Sequence, residues 1–367
     1  MTSKLINQKP LLVKSHKLMK KFRIIDKNRY YSNFGPYYYV LKKKIENALK
    51  LKKSSITFTS SGYSSLHACC KIIANRNKKK IVLVPTYSFA ANPQSIISSG
   101  LEPFFVDINK DSYEMDYEDA SKILKKYRKK IAAIMIVSPF GYPINIKKCL
   151  NIFSKYKVPI IYDAVDTLLN HKSLIESDNV YYTHSFHPTK IIPSNESGMI
   201  IASKKKEKFL KSMINFGMIG ETRSINLYGF NGKFTEYDAA ILDSNFEEIK
   251  KIKKRLIKIN HHIITNVKNE SLIFQKNFGV NWFSLRLVLR HKFKNFNSIF
   301  SKLKKEGIII SHPWHNKFMH QYSIFKKYKK SNLSNSQALQ NKIFSINMRI
   351  DIKKKDLDFL VKNLNEI

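Results

Sequence analysis

The chain has 367 residues, of which 43% are hydrophobic and 12% aromatic, so a largely disordered protein is excluded and about two domains are expected. Gly and Pro number 11 each, which excludes collagen-like and low-complexity architectures. The 66 Lys and Arg residues outnumber the 27 Asp and Glu residues, leaving a net charge of +39 that favours anionic partners.

This surplus of positive charge has two interpretations. It could mark a protein that binds nucleic acid or an anionic membrane. The excess is almost all Lys, however, and it comes with the abundant Asn and Ile that are typical of AT-rich coding. Arg, which reads base edges and phosphates, is scarce. We therefore expect a compositional bias, which argues against nucleic-acid binding.

The cysteines and the apolar runs indicate in which cellular compartment the protein is found. Cys69, Cys70 and Cys149 form no CxxC pair and no disulfide framework, which indicates a reducing environment. The first residues lack the apolar segment of a signal peptide, and no apolar run approaches the roughly 18 residues of a membrane span. We expect a cytoplasmic globular protein with no membrane association.

Short apolar segments alternate with helix-like stretches between residues 54 and 202. The predicted strands are β-branched or aromatic, as in strands buried on both faces: Ile56–Thr59, Ile81–Val84, Pro103–Val106, Ile131–Val137, Val158–Tyr162, Val180–His184 and Met199–Ala202. The predicted helices are Tyr63–Ala74, Ala90–Ser99, Tyr117–Lys126 and Ile146–Lys157. This order predicts an α/β fold with a mostly parallel seven-stranded sheet, in which ligands bind at the carboxyl ends of strands.

The pattern changes beyond residue 240, where a smaller α+β domain is predicted. Its predicted elements are a Lys-rich helix Ala239–Asn266, strand Trp282–Arg290, helix Phe296–Glu306, strand Ile308–Ser311, and helices Asn335–Ile343 and Lys354–Asn365. We therefore predict a large domain over residues 1–240 and a small domain over residues 241–367, with the long helix connecting them.

Four segments at predicted strand ends carry residues suited to chemistry. Ser60–Ser65 opens a helix, so its backbone amides could face a phosphate, although such starts are also common helix caps. Asp163 ends an apolar strand and needs a hydrogen-bonding or cationic partner, unless it is only a helix N-cap. Phe89 follows the second strand, where its ring could pack in the core or stack on a cofactor.

The fourth segment is Thr183–Lys190, a polar and His-rich turn at the end of a strand. A lysine there is usually solvated, but a partly desolvated amine in such a turn is a nucleophile toward carbonyls. An anion cradle, an aromatic ring, a carboxylate and a lysine, in this order, form the set that binds pyridoxal 5′-phosphate (PLP).

Motifs over most of the chain carry a family resemblance. Ser185–Lys190 is the most specific of them, and the others are Asn33–Pro36, Ser61–Tyr63, Thr86–Ala91, Pro103–Asp107, Ser138–Gly141, Asp163–Ala164, Gly229–Glu236 and Phe344–Asn347. Together they resemble the DegT/DnrJ/EryC1/StrS family of PLP-dependent sugar aminotransferases. The resemblance implies the PLP-dependent transferase fold type I, similar to that of aspartate aminotransferase.

The resemblance also implies roles for single residues. Lys190 would bind PLP covalently and then move the substrate proton, Asp163 would pair with the ring nitrogen, and Phe89 would stack on the ring. His187 would face the substrate as a second catalytic residue, or it would make only a structural hydrogen bond in the turn.

The phosphate site is implied in the same way. Ser185 and the backbone amides of Gly62 and Tyr63 would hold the phosphate. Asn231 would reach the phosphate of the neighbouring subunit's cofactor, so a homodimer with shared active sites is expected.

The sequence departs from the family pattern at several positions. Asp166 stands where many members have Gln or His near the cofactor hydroxyl. Asn195 and Ser197 replace glycines, where the backbone could require positive φ, and Tyr63 replaces a small Thr. These departures bear on substrate range and activity more than on cofactor binding.

The activity implied is the transfer of an amino group from glutamate to a keto-sugar on a nucleoside diphosphate. The amino-sugar nucleotide would serve lipopolysaccharide, capsule or glycan biosynthesis. Three alternatives remain: a sugar 3-dehydratase, against which Lys190 argues because that branch has His there; a PLP-binding paralogue without turnover; and a basic nucleic-acid-binding protein. The sequence leaves open whether Tyr181, Tyr182, His312 or His315 contacts the substrate.

Overall fold

A computed structural model describes residues 13–165, 167–169, 174–219, 223–225, 227–314 and 317–367. Its larger sheet consists of β1 Ser54–Thr59, β2 Ile81–Pro85, β3 Glu102–Val106, β4 Ile131–Val137, β5 Ile160–Asp163, β6 Val180–Ser185 and β7 Gly198–Ser203. The strand order is β1-β7-β6-β5-β4-β2-β3, and only β7 runs antiparallel to its neighbours. The predicted mostly parallel α/β sheet is thus confirmed.

Helices cover both faces of this sheet, because its strands are apolar on both faces. The helices are α1 Ser15–Asn28, α2 Pro36–Ala48, α3 Gly62–Arg76, α4 Ala91–Ser98, α5 Tyr117–Tyr127, α6 Ile146–Phe153, α7 Glu207–Met213 and α8 Glu236–Glu247. All residues of β4 are buried, and the neighbouring residues Leu83 and Val84 of β2 belong to two different apolar cores.

The C-terminal part forms a second sheet with its own core. After a short hairpin of β8 Met218–Ile219 and β9 Ser224–Ile225, the elements are α9 Ile249–Asn266, β10 Leu272–Phe274, β11 Arg286–His291, α10 Phe296–Lys305, β12 Ile310–Ser311, α11 Ser334–Leu339, β13 Ile343–Asn347 and α12 Lys354–Asn365. The strands are antiparallel in the order β10-β11-β13-β12. None of the helices within the described ranges is long and apolar enough to cross a membrane.

Three predicted elements of this part differ from the structure. The single long helix is two, α8 and α9, with the break at Glu248. The predicted strand from Trp282 begins only at Arg286, because the Trp282 indole packs in the larger core and donates to the Phe140 carbonyl at 3.0 Å. The predicted helix Asn335–Ile343 is shorter in the structure, where α11 ends at Leu339 and Ile343 is the first residue of β13.

Buried carboxylates attach the first two helices to α8. The Glu236 carboxylate accepts hydrogen bonds from the Tyr37 and Tyr38 amides at the start of α2, at 2.7 and 3.0 Å. Asp243 is buried and accepts from the Lys21 ammonium at 2.5 Å and from the Lys44 ammonium. Asp243, Lys21 and Lys44 thus form an ion cluster that joins α1, α2 and α8.

We expect Asp243→Asn to lower the free energy of unfolding by about 2–4 kcal/mol, because two partly buried lysines would lose their shared carboxylate. Chemical denaturation measures this change. The control Asp178→Asn removes an exposed partner of Lys205 and should leave stability essentially unchanged. Equal effects of the two substitutions would contradict a structural role for the cluster.

Candidate active site

The predicted site residues meet at one edge of the large sheet. The ends of β1, β7 and β6 are in register there, with Thr59 opposite Gly198 and Gly198 opposite Ser185. One strand further, Asp163 of β5 lies opposite Thr183 of β6. The four strand ends therefore bring the phosphate loop, the carboxylate and the lysine turn together.

The start of α3 forms an anion cradle. Ser61 caps this 15-residue helix, and its hydroxyl accepts a hydrogen bond from the Ser64 amide at 3.0 Å. A Cβ atom at Gly62 would lie 2.6 Å from Cβ of Ser185, so only glycine allows this approach. The amides of Gly62 and Tyr63 in the first turn of α3 thus lie beside the Ser185 hydroxyl, an arrangement suited to a phosphate.

Two of the positions that depart from the family's glycines flank this cradle. The expectation that Asn195 and Ser197 require a left-handed backbone is not met, because neither has a positive φ. The Ser197 hydroxyl bonds to that of Ser194 at 2.5 Å. Gly198 is retained where it is needed, since a Cβ atom there would lie 2.3 Å from the Ser61 carbonyl oxygen.

Asp163 has a partner that sequence reasoning missed. Its Oδ2 atom accepts a hydrogen bond from Asn92 Nδ2 at 2.7 Å, and both residues are buried. Asn92 lies in the first turn of α4, and its amide nitrogen bonds to the Phe89 carbonyl at 3.0 Å. Phe89 is 49% exposed, so it is not a core residue and is accessible to a ligand.

Lys190 lies in the turn after β6, where its amide bonds to the His187 carbonyl at 2.8 Å. It borders an open cavity of about 1620 Å³, whose other walls come from the start of α1, the junction of α8 and α9, and the segment after β13. The His187 ring bonds to the Thr189 hydroxyl at 2.8 Å and accepts from the Thr189 amide at 3.2 Å. Both bonds involve Nδ1, while Nε2 lies 3.8 Å from a Glu196 carboxylate oxygen, so the contact of His187 with substrate stays a prediction.

A second histidine that the sequence did not single out lies behind this turn. His184 is buried in β6 and borders a small cavity together with Lys190 and Leu169. Burial lowers the pKa of His184 to about 4, so its ring is neutral at physiological pH.

The remaining predicted residues occupy different surroundings. The Tyr63 hydroxyl bonds to the Ser98 hydroxyl at the end of α4 at 2.8 Å, so only the Tyr63 backbone belongs to the cradle. Asn231 is exposed, next to Gly232, whose carbonyl accepts from the Ser60 amide at 2.8 Å. Asp166 and His315 lie outside the described residues.

These residues fit PLP, which combines a phosphate, a protonated ring nitrogen and a carbonyl. The glycine-dependent cradle suits the phosphate, and the buried Asp163 carboxylate suits the ring nitrogen. Lys190 supplies an amine and borders a small cavity together with Ser185 of the cradle.

Comparison with known proteins gives the same assignment. The model of the DegT/DnrJ/EryC1/StrS aminotransferase family matches residues 14–365. A dTDP-4-amino-4,6-dideoxy-D-glucose transaminase from Shigella dysenteriae is 24% identical over 94% of this chain and 94% of its own length.

Solved structures share the fold over nearly the whole chain. A putative PLP-dependent aminotransferase from Bacillus cereus superimposes with a TM-score of 0.88 at 22% identity, covering 97% of this chain and 98% of its own. The E. coli GDP-4-keto-6-deoxy-D-mannose-3-dehydratase superimposes with a TM-score of 0.81 at 17% identity, covering 98% and 99%. The fold alone therefore does not separate transferase from dehydratase.

We expect Gly62→Ala to weaken PLP binding by at least about 10-fold, because the new methyl group would push the cradle away from Ser185. A titration of the purified protein with PLP, followed by absorbance, measures this change. Gly279→Ala is the matched control, since a Cβ atom there meets no atom closer than 3.8 Å. Unchanged affinity in Gly62→Ala would exclude this cradle as the phosphate site.

Proposed function

Since the chain belongs to the DegT/DnrJ/EryC1/StrS aminotransferase family, we propose that it transfers an amino group from glutamate to a nucleotide-linked keto-sugar. The observation that carries this proposal is the meeting of the cradle, Asp163 and Lys190 at one sheet edge. The transaminase from Shigella dysenteriae supports a sugar nucleotide as the acceptor. The product would be an amino-sugar nucleotide for surface polysaccharide or glycan biosynthesis.

PLP, when bound, supplies a carbonyl that exchanges for an amine and a conjugated ring that accepts electrons from the substrate carbon. Ser185 and the first amides of α3 bind the phosphate and so fix the position of the ring. Asp163, held by Asn92, keeps a proton at the ring nitrogen, while Phe89 stacks on the ring. These residues bind and orient, and they exchange no proton with the substrate.

Lys190 is the residue that moves the substrate proton. Its Nζ atom takes a proton from the α-carbon of glutamate, and in the second half of the reaction it delivers a proton to the former keto carbon of the sugar. A lysine at this position supports a transferase and argues against the dehydratase branch.

Exposed apolar side chains near Asn231 support a homodimer with shared sites. Ile225 and Tyr228 are 70% and 83% exposed, and Phe216 is 48% exposed. The Phe216 amide bonds to the Phe230 carbonyl at 3.1 Å, which places these side chains beside the segment that carries Asn231. A second copy of the chain would bury them and bring Asn231 to the partner's cradle.

We expect the PLP-loaded protein to show a visible absorption band that bleaches when glutamate is added. Lys190→Ala should lose this band and essentially all amino transfer, because both the covalent attachment and the proton carrier are removed. The control Lys204→Ala, an exposed lysine in a turn after β7, should behave as wild type. Absorption spectra and screening of keto-sugar nucleotides measure these effects.

Other outcomes would select the alternatives. A band that forms but does not respond to any amino donor would identify a paralogue without turnover. The absence of a band, together with salt-dependent retention of DNA, would identify a nucleic-acid-binding protein. Near-normal transfer by Lys190→Ala would overturn the assignment of the proton carrier.

The dimer has its own test. We expect Ile225→Asp combined with Tyr228→Asp to produce monomers and to weaken PLP binding several-fold, about 5-fold or more, because charged groups replace the apolar contact and Asn231 is withdrawn. Sedimentation analysis and PLP titration measure both effects. Ile324→Asp, which alters another residue that is 59% exposed, should leave the dimer intact.

A further inference from the structure

The cavity that Lys190 borders has a strong excess of positive charge. Its charged lining residues are the cations Lys14, Lys17, Lys190, Lys251, Arg255 and Arg349 and the anions Glu248 and Asp351. An excess of this kind inside a cavity favours a ligand with more than one negative charge.

Three of these six cations already bond to other groups of the lining or of the segment after β13. Lys17 and Lys251 pair with Glu248 at 3.1 and 3.5 Å. The Arg255 guanidinium donates to the Ile350 carbonyl at 3.1 Å and to the Ile352 carbonyl. Arg255 therefore holds the segment after β13 in place, and this segment carries Arg349.

Arg349 presents the geometry that recognises a carboxylate. Its Nε and Nη2 atoms donate to the two Asp351 oxygens at 2.8 and 2.6 Å, which is a bidentate fork. The two side chains are 32% and 39% exposed, so solvent competes with the pair and its net stabilisation is small. An incoming carboxylate can therefore replace Asp351 at little cost.

We propose that Arg349 binds a carboxylate of the amino donor, and that Asp351 is an internal competitor which occupies the guanidinium until the donor enters. This inference rests on the proposed transfer of an amino group from glutamate. The donor's carboxylates lie within a few bonds of the carbon that Lys190 deprotonates, and both Lys190 and Arg349 border one cavity. The diphosphate of a sugar nucleotide is a less suitable ligand for Arg349, because the sugar ring separates it from the keto carbon.

The test uses the PLP-loaded protein and follows each half of the reaction separately. Arg349→Gln should raise the glutamate concentration for half-maximal bleaching by about 3- to 10-fold, because a bidentate pair at a partly exposed guanidinium is lost. Its maximal bleaching rate and its dependence on the sugar nucleotide should stay close to wild type. Asp351→Asn should act in the opposite direction and lower the required glutamate by about 2- to 5-fold.

A binding measurement complements the kinetics. Calorimetric titration with glutarate, a dicarboxylate without an amino group, should show the same order of affinity: Asp351→Asn, wild type, then Arg349→Gln. Arg290→Gln is the matched control, because Arg290 also pairs with an aspartate, Asp111 at 3.3 Å, but does not border this cavity. It should leave all of these values unchanged.

Each possible result has a defined meaning. Unchanged glutamate dependence and glutarate affinity in Arg349→Gln would overturn the inference, and so would a loss confined to the sugar-nucleotide half, which would assign Arg349 to the diphosphate. A wild-type protein that ignores glutamate would instead contradict the proposed function. In that case the glutarate titration alone decides whether Arg349 binds a carboxylate.

Discussion

The approach of the β1–α3 turn to the ends of β6 and β7 is the contact on which the site depends. Gly62 and Gly198 allow it, because a Cβ atom at either position would lie 2.6 or 2.3 Å from a neighbouring segment. The helix amides and the Ser185 hydroxyl then face one point. Asp163 is positioned relative to the same point, because its strand is the next one along this edge.

Residues between α9 and β11 bond to the backbone of the segments that precede α5 and follow β4. Buried Gln275 donates to the Ser112 carbonyl at 2.7 Å and to the Pro139 carbonyl at 3.2 Å, and Trp282 donates to the next carbonyl, that of Phe140. Phe140 has a φ of 55°, an uncommon conformation that these neighbours hold. These hydrogen bonds attach the C-terminal part to the large sheet.

Local patterns explain why much of this architecture could be predicted and why some of it could not. In the large sheet β2 and β4 are continuous apolar runs, so their residue types alone indicate burial on both faces. β13 is different, because Ile343 ends a stretch whose pattern predicts a helix, and Ile343–Asn347 forms a strand by pairing with β11 and β12. Asn92 was missed for a related reason, since its partner Asp163 comes from a distant strand and an amide in a first helical turn carries no signal of its own.

The distribution of charge shows why net charge alone says little about the ligand. Several of the 27 carboxylates bond to backbone amides inside the fold, as Glu236 does at the start of α2 and Glu176 does with the amides of Lys52 and Lys53. The net charge of +39 comes mainly from lysines. Exposed lysines attract any anion over a distance of about one Debye length, so they do not select one anionic ligand over another. Discrimination requires donors in fixed positions. In this chain those are the helix amides at Gly62, which suit a phosphate, and the guanidinium fork of Arg349, which suits a planar carboxylate.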